Sequence, residues 1–312
     1  MENITNRVDI LAHDNCNTQP QLSNPRTFGL CISNVLHSRD KGCKAQLSPI
    51  EESIPPLIVD NSHTEYINDI LIYSRELEVM RQGKFGYMEN QGDITEKMRA
   101  ILVDWLVDVH FKFNLMNETL YLTVNLLDRF LECKQIKRSQ LQLVGITTLF
   151  IACKYEEIYP PEVRDLVYIA DNTYSREKIK KMEVNIVKAL NFNIGTATSY
   201  RFLEYFSTLL GIALKTKYIA QYFLELALVE YKALQYNDSL KAVMALYLAD
   251  KTIIRWSKEI EEKIGYSKTD IKEHSNKFKE LIKQSHKSTL NAVKKKFACS
   301  KYLAVSKILK KQ

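Results

Sequence analysis

Residues 95–113 read Thr95-Glu-Lys-Met-Arg-Ala-Ile-Leu-Val-Asp-Trp-Leu-Val-Asp-Val-His-Phe-Lys-Phe113. Met98, Ile101, Leu102, Trp105, Leu106 and Val109 recur at the spacing of an amphipathic helix, and Thr95 stands where a cap is needed. The same period continues outward. Upstream, Tyr66, Ile70, Tyr73 and Leu77 mark a helix that ends before the loop at Gln82-Gly-Lys-Phe-Gly-Tyr87. Downstream, helical segments are expected near 118–133, 138–154, 162–170 (opened by Pro160-Pro161) and 175–191, with a break at Asn191 and Gly195. The count then restarts: 198–210, 215–234, 238–256, 258–264 and 267–286, punctuated by Gly211 and Gly265. Two successive runs of five helices predict a tandem repeat of one all-α unit, followed from His286 by a short helix and a basic tail.

Composition points the same way. The 312 residues hold only 9 glycines, and the seven prolines all lie at or before Pro161. A β-rich domain needs turn residues every few positions, and phosphate loops need clustered glycines, so strands, Rossmann folds and kinase loops are disfavoured. Cysteines at 16, 31, 43, 133, 153 and 299 form no CxxC pair, which reads as free thiols in a reducing compartment with no zinc site. No apolar run approaches the ~20 residues that span a bilayer, so no membrane segment is expected. The formal charge of +7 is uneven: residues 1–60 and 61–250 each carry a net −2, and residues 251–312 carry +11.

Four charges sit where apolar residues belong. Asp128 lies on the stripe of Val124, Leu127 and Leu131, and Arg99 on the inward side of Leu102 and Leu106. Glu183 interrupts the stripe of Ile179, Ile186, Val187 and Leu190, and Lys154 ends the apolar run 143–153. An unpaired charge there would cost several kcal/mol, so each needs a partner or a protein interface. Arg99 and Asp128 are expected to pair. Lys154 either complements a helix C-terminus or points to a partner, and Glu183 either snorkels to water or does the same.

Met98-Arg-Ala-Ile-Leu-Val-Asp-Trp-Leu106 resembles the signature helix of the cyclins, the regulatory subunits of cyclin-dependent kinases. The resemblance continues through Asn117-Glu-Thr-Leu-Tyr, Leu127-Asp-Arg-Phe-Leu, Leu141-Gln-Leu-Val-Gly and Lys154-Tyr-Glu-Glu-Ile-Tyr-Pro-Pro-Glu162. It extends to Asp171-Asn-Thr-Tyr, Met182-Glu183 and Ala189-Leu-Asn-Phe192, and again at Lys296-Phe-Ala-Cys-Ser-Lys-Tyr302. Within the family, Gly86-Tyr-Met and Asp93-Ile-Thr look A-type, whereas Lys154-Tyr155-Glu-Glu and Asp171-Asn-Thr-Tyr look B-type; together they resemble the G2/mitotic cyclins.

The resemblance implies an all-α fold of two tandem five-helix cyclin boxes preceded by an N-terminal helix and a disordered arm. The expected divisions are 1–62 (the arm), 63–195 (N-terminal helix and first box), 196–305 (second box and C-terminal helix) and 306–312 (basic tail). It implies a non-catalytic, cofactor-free subunit in nucleus and cytoplasm that binds and activates a cyclin-dependent kinase at the G2/M transition. Lys154 and Glu183 would anchor the kinase, joined by Tyr155, Val187, Phe192 and Ile194, with Tyr66, Ile70 and Tyr73 clamping from the N-terminal helix. Each of these aromatics could equally be core. Arg99–Asp128 would be the buried pair of the box and Leu143 its core hallmark. Met98, Ile101 and Trp105, rimmed by Asp108, Leu141 and Gln142, match the family's exposed patch for Arg-x-Leu peptides of substrates and inhibitors.

In the arm, Arg26-Thr-Phe-Gly-Leu-Cys-Ile-Ser-Asn34 resembles a destruction box recognised by ubiquitin-ligase machinery, matching at Arg26, Ile32 and Asn34 with Leu30 one place late. The rival reading is a cyclin-box transcription factor that binds DNA through the basic second half. It lacks the zinc ribbon such factors bring, and nucleic acid is not expected as a direct partner. Lys294-Lys-Lys296 and Lys310-Lys311 are left with a weak nuclear-targeting or substrate-steering role, or none.

Overall fold

The structure is a computed structural model that describes residues 64–250 and 257–309. The destruction-box residues Arg26, Leu30, Ile32 and Asn34, and Lys310-Lys311, lie outside them. The described residues form helices, short 3-10 turns and connecting loops, with no strand among them.

The first half comprises α1 (Thr64–Arg81), α2 (Glu96–Lys112), α3 (Asn117–Cys133), α4 (Leu141–Glu156), α5 (Val163–Ile169) and α6 (Arg176–Ala189). Thr95 caps α2 by accepting the Met98 amide at 3.3 Å, as its position before the periodic run predicts. α4 is apolar all round and buried without interruption from Leu143 to Cys153, so it forms the axis around which α2, α3 and α6 pack. At Gly145 a Cβ would stand 2.8 Å from the Leu102 side chain, and this glycine sets how closely α2 crosses α4.

The second half repeats the plan with α7 (Ser199–Leu209), α8 (Leu214–Val229), α9 (Asp238–Ala249), α10 (Lys258–Ile264) and α11 (Lys268–Lys287). α9 packs against α7, α8 and α11. One element is shorter than its sequence pattern. The 215–234 segment breaks at Glu230, whose backbone is extended, and resumes as the 3-10 turn Tyr231–Gln235. The break has a tertiary cause: Arg99 takes the Leu228 and Val229 carbonyls at 3.0 and 3.3 Å, and the Tyr231 hydroxyl takes the Gly86 and Met88 amides at 2.8 and 3.1 Å. α9 ends at Ala249, where Asp250 is extended, and the expected stretch 251–256 lies outside the described residues.

After α11 the chain makes two short helices, α12 (Ala292–Lys296) and α13 (Val305–Leu309), with a 3-10 turn at Ser300–Tyr302 between them. One helix and a tail were expected there. α12 packs on α2 and α13 on α8, so the end of the chain clasps both halves. The basic run Lys294–Lys296 is in part built into this packing. Lys296 is fully buried, its ammonium 2.6 Å from the equally buried Glu225 carboxylate, and it lies over the Phe297 and Tyr302 rings. Lys294 bonds the Ser288 carbonyl at 3.0 Å.

A second polar contact joins the halves at the start of α7. Thr198, the cap of that helix, donates its hydroxyl to Glu118 at 2.6 Å. Burial pushes the Glu118 carboxyl up to about 7, with Thr198 and Arg201 opposing and Glu156 and Glu204 adding to the rise. The folded state therefore holds this proton more tightly than the unfolded chain, whose carboxyl titrates near 4.5. Stability from Glu118 is full below that unfolded value and is lost as pH rises through about 7. Glu118→Gln, which keeps an acceptor for Thr198, is expected to raise the thermal midpoint by a few degrees at pH 8 and by much less at pH 5. Melting curves at the two pH values measure it, and an equal gain at both would contradict the assignment.

Candidate functional site

The end of α4 and the length of α6 carry the two unexplained charges of the sequence. Their helices pack side by side, and the Lys154 ammonium donates to the Glu183 carboxylate. The Lys154 side chain keeps 42% of its exposure and Glu183 keeps 19%, so the pair is open to solvent on one side. Lys154 also sits 4.4 Å above the Phe150 ring, which fixes the direction of its stem. An ion pair this exposed contributes about 0–1 kcal/mol, so a competing partner can share it at little cost.

Exposed apolar side chains follow each helix end. Tyr155 is exposed, and beyond Glu157 the chain runs through Ile158 and Tyr159, the latter 91% exposed, before Pro160-Pro161. Glu157 tethers this loop by accepting the Met116 amide at 2.7 Å and the Thr119 hydroxyl. After α6, Asn191 and Phe192 both adopt left-handed backbone (φ 51° and 61°), a conformation that costs a non-glycine residue about 1 kcal/mol or more. Phe192 is nonetheless 72% exposed, so both strain and lost burial are spent on turning its ring outward. Val187 and Ile194, expected beside it, are half-buried and packed against the core.

α1 joins this surface through its C-terminal end. Arg81 donates to the Gly195 carbonyl and to Asn193, while Asn125 of α3 donates to the Arg81 carbonyl at 2.9 Å. Gly195 also lies against the Tyr155 hydroxyl, which any Cβ there would displace. Along α1, Tyr66, Ile70 and Tyr73 are all exposed. The structure thus brings the end of α4, α6 and the 191–195 loop together with the C-terminal end of α1, while Tyr66, Ile70 and Tyr73 lie toward the other end of that helix. Reading the sequence missed Ile158, Tyr159 and the exposed Val184. Two apolar residues ahead of a Pro-Pro pair were the available signal, because a loop has no reason to be apolar unless something covers it.

Arg99 and Asp128 pair as expected, with Nε–Oδ1 at 2.6 Å and Nη2–Oδ2 at 2.7 Å, both side chains 1% exposed. Burial opposes the Arg99 charge, but the adjacent Asp128 carboxylate outweighs it and the guanidinium pKa rises. Tyr87 donates to Asp128 at 2.8 Å. The bonds from Arg99 to the α8 carbonyls make the pair a joint between the halves, which no pattern within the first half revealed.

The stripe on α2 differs from its expected exposure. Trp105 (3% exposed) and Leu141 are buried, while Met98, Ile101, Asp108 and Gln142 are half-buried. The reason is that α3, α4, α8 and α12 all pack on α2 and leave this strip only partly open. Asp104, beside that strip, accepts the Ala292 amide at 3.0 Å and caps α12, and burial pushes its carboxyl up to about 6. Leu143 is core, as its place in the apolar run predicts. Among the described residues no cluster of His, Cys, Asp and Glu side chains is arranged to hold a metal, and no helix is long and apolar enough to cross a membrane.

Two family descriptions divide the chain where the helix count restarts: the cyclin N-terminal domain matches residues 69–195, and the cyclin C-terminal domain matches 197–311. The chain belongs to the cyclin family. It is 41% identical over 247 residues to the G2/mitotic-specific cyclin-B of Spisula solidissima, covering 78% of this chain and 58% of that one. It is 39% identical over 266 residues to cyclin-B2-1 of Arabidopsis thaliana, covering 83% and 62%. This cyclin therefore spans about three fifths of the length of the curated relatives it matches. Among solved structures, a viral cyclin from herpesvirus saimiri is similar in fold, with a TM-score of 0.61 at 19% identity over 70% of this chain and 97% of that chain. The two tandem all-α domains are thus cyclin boxes.

Proposed function

We propose that this cyclin is a non-catalytic regulatory subunit that binds and activates a cyclin-dependent Ser/Thr kinase at the G2/M transition, in nucleus and cytoplasm. The observation that carries the reading is the Lys154–Glu183 pair, partly open to solvent, on two packed helices whose ends carry the exposed Tyr155 and Phe192. Likeness to proteins named G2/mitotic-specific cyclin-B supports the phase. A kinase becomes active when its αC helix is placed so that the helix Glu reaches the catalytic Lys and its activation loop opens. A rigid helical surface that binds only that arrangement supplies the differential affinity that shifts the population. Lys154 and Glu183 would exchange part of their mutual bond for backbone groups of the kinase, and the exposed rings, with Tyr66, Ile70 and Tyr73, would supply the apolar area. Met98, Ile101, Asp108 and Gln142 would hold Arg-x-Leu peptides of substrates, with Trp105 and Leu141 forming the floor. Residues 26–34 would engage the ubiquitin-ligase machinery.

The test is co-purification of a kinase with histone-type substrate activity. The full chain is expected to activate it, and Lys154→Ala and Glu183→Ala are each expected to lower kinase affinity about tenfold or more, the loss of roughly one buried, charge-assisted contact. Activation by both variants at wild-type strength would refute the assignment.

A further inference from the structure

α1, which the proposed function places against the kinase, is thinly covered by the rest of the described structure. It is 18 residues long, yet it exposes Tyr66, Ile70, Ile72, Tyr73, Val79 and Met80, and among its described side chains only Leu71 and Glu78 are buried. A helix of that length with so little apolar area covered is marginal unless something else fixes it. What fixes it is polar, and it comes largely from the second box. Glu78, 3% exposed, accepts both the backbone amide and the hydroxyl of Ser239, each at 2.7 Å. Ser239 lies in the first turn of α9, so the carboxylate satisfies a helix N-terminal amide across the two boxes. One turn earlier, Arg75 donates to the Ile264 carbonyl, lies against Gly265 and stacks 5.6 Å from the Tyr266 ring centre. Tyr266 closes the circuit by bonding Ser239 at 2.7 Å. Gly265 is required for its φ of +73°, and a Cβ there would push the Arg75 guanidinium out of its seat.

We propose that Arg75 and Glu78 are positioning residues, latched by Ser239, Gly265 and Tyr266, through which the second box sets kinase affinity without touching the kinase. The inference rests on the kinase-binding reading above. If only a fraction of molecules hold α1 in place, the apparent dissociation constant rises by the inverse of that fraction. The latch residues of the second box lie outside the expected contact surface, so their removal takes away no direct contact.

The test uses the full chain with Gly265→Ala and Tyr266→Ala, and with Arg75→Ala from the other side of the latch. Amide hydrogen exchange is followed in α1 and, as an internal standard, in α4 and α9, alongside titration of a purified cyclin-dependent kinase catalytic subunit. All three variants are expected to speed exchange in α1 about tenfold while leaving α4 unchanged, and to weaken kinase binding by a similar factor. Turnover at saturating cyclin is expected to stay at the wild-type value. Tyr266→Phe, which keeps the ring under Arg75, is expected to restore most of both readouts. Unchanged α1 exchange would overturn the latch. Faster α1 exchange with wild-type kinase affinity would overturn the positioning role and leave the kinase reading standing. Failure of the wild-type chain itself to bind the kinase would overturn that reading, and the positioning role with it.

Discussion

Asp128→Ala is expected to destabilise the folded protein by about 3–5 kcal/mol, the cost of stranding a buried charge. Asp128 accepts two bonds from Arg99 and one from Tyr87, with both members of the ion pair 1% exposed. Removing the carboxylate leaves the guanidinium with neutral acceptors, among them the Leu228 and Val229 carbonyls. Because those carbonyls belong to α8, the loss reaches beyond the first box, and the two boxes are expected to separate in their unfolding transitions. Urea denaturation followed by far-ultraviolet circular dichroism measures the loss, and a cost below about 1 kcal/mol would show that the pair is not a structural joint. Asp128→Asn keeps one acceptor and the shape, so its cost should fall between alanine and wild type.

Lys296→Ala is expected to have an effect of similar size, about 3–5 kcal/mol, where the C-terminal segment docks on α8. Glu225 and Lys296 are both fully buried, and Glu225 otherwise bonds only the Gln221 amide, at 3.2 Å. Burial pushes the Glu225 carboxyl up, and the Lys296 ammonium is the strongest influence holding it down. Without Lys296 the unpaired carboxylate is costly only while ionised, so the variant should lose more stability at pH 8 than at pH 5, where Glu225 can take a proton. Replacing both residues with methionine removes both charges together and should recover most of the loss, since a buried ion pair and a well-packed apolar pair are often near equal. Denaturation of the single and double variants at the two pH values checks this. Equal losses at both pH values, or no recovery in the double variant, would contradict it.

The helices themselves were legible because apolar spacing is a local property. α2 begins at Glu96 behind its Thr95 cap and α11 spans Lys268–Lys287, each within a residue or two of the pattern in the chain. The pairing of Arg99 with Asp128 was also legible, because two charges on facing apolar stripes have few ways to avoid a penalty. The buried Glu78 was not. On an exposed helix a glutamate four residues before an asparagine or glutamine looks like ordinary solvated surface, and only the arrival of the α9 amide makes it a buried acceptor. Lys296 was concealed for the opposite reason, since it stands in a run of three lysines of which it alone is fully buried.

What the chain determined by itself is the list of helices, the repeat of five and five, and the charges that demanded explanation, all consequences of periodicity and of the cost of burying charge. Which surfaces of those helices remain open was decided by tertiary contacts. α12 returns to cover α2 and narrows the stripe around Trp105, Arg99 ends α8 by taking its carbonyls, and α9 with the α10–α11 turn latches α1 in place. Periodicity reports which face of a helix avoids water, and it carries no information about which distant segment does the covering.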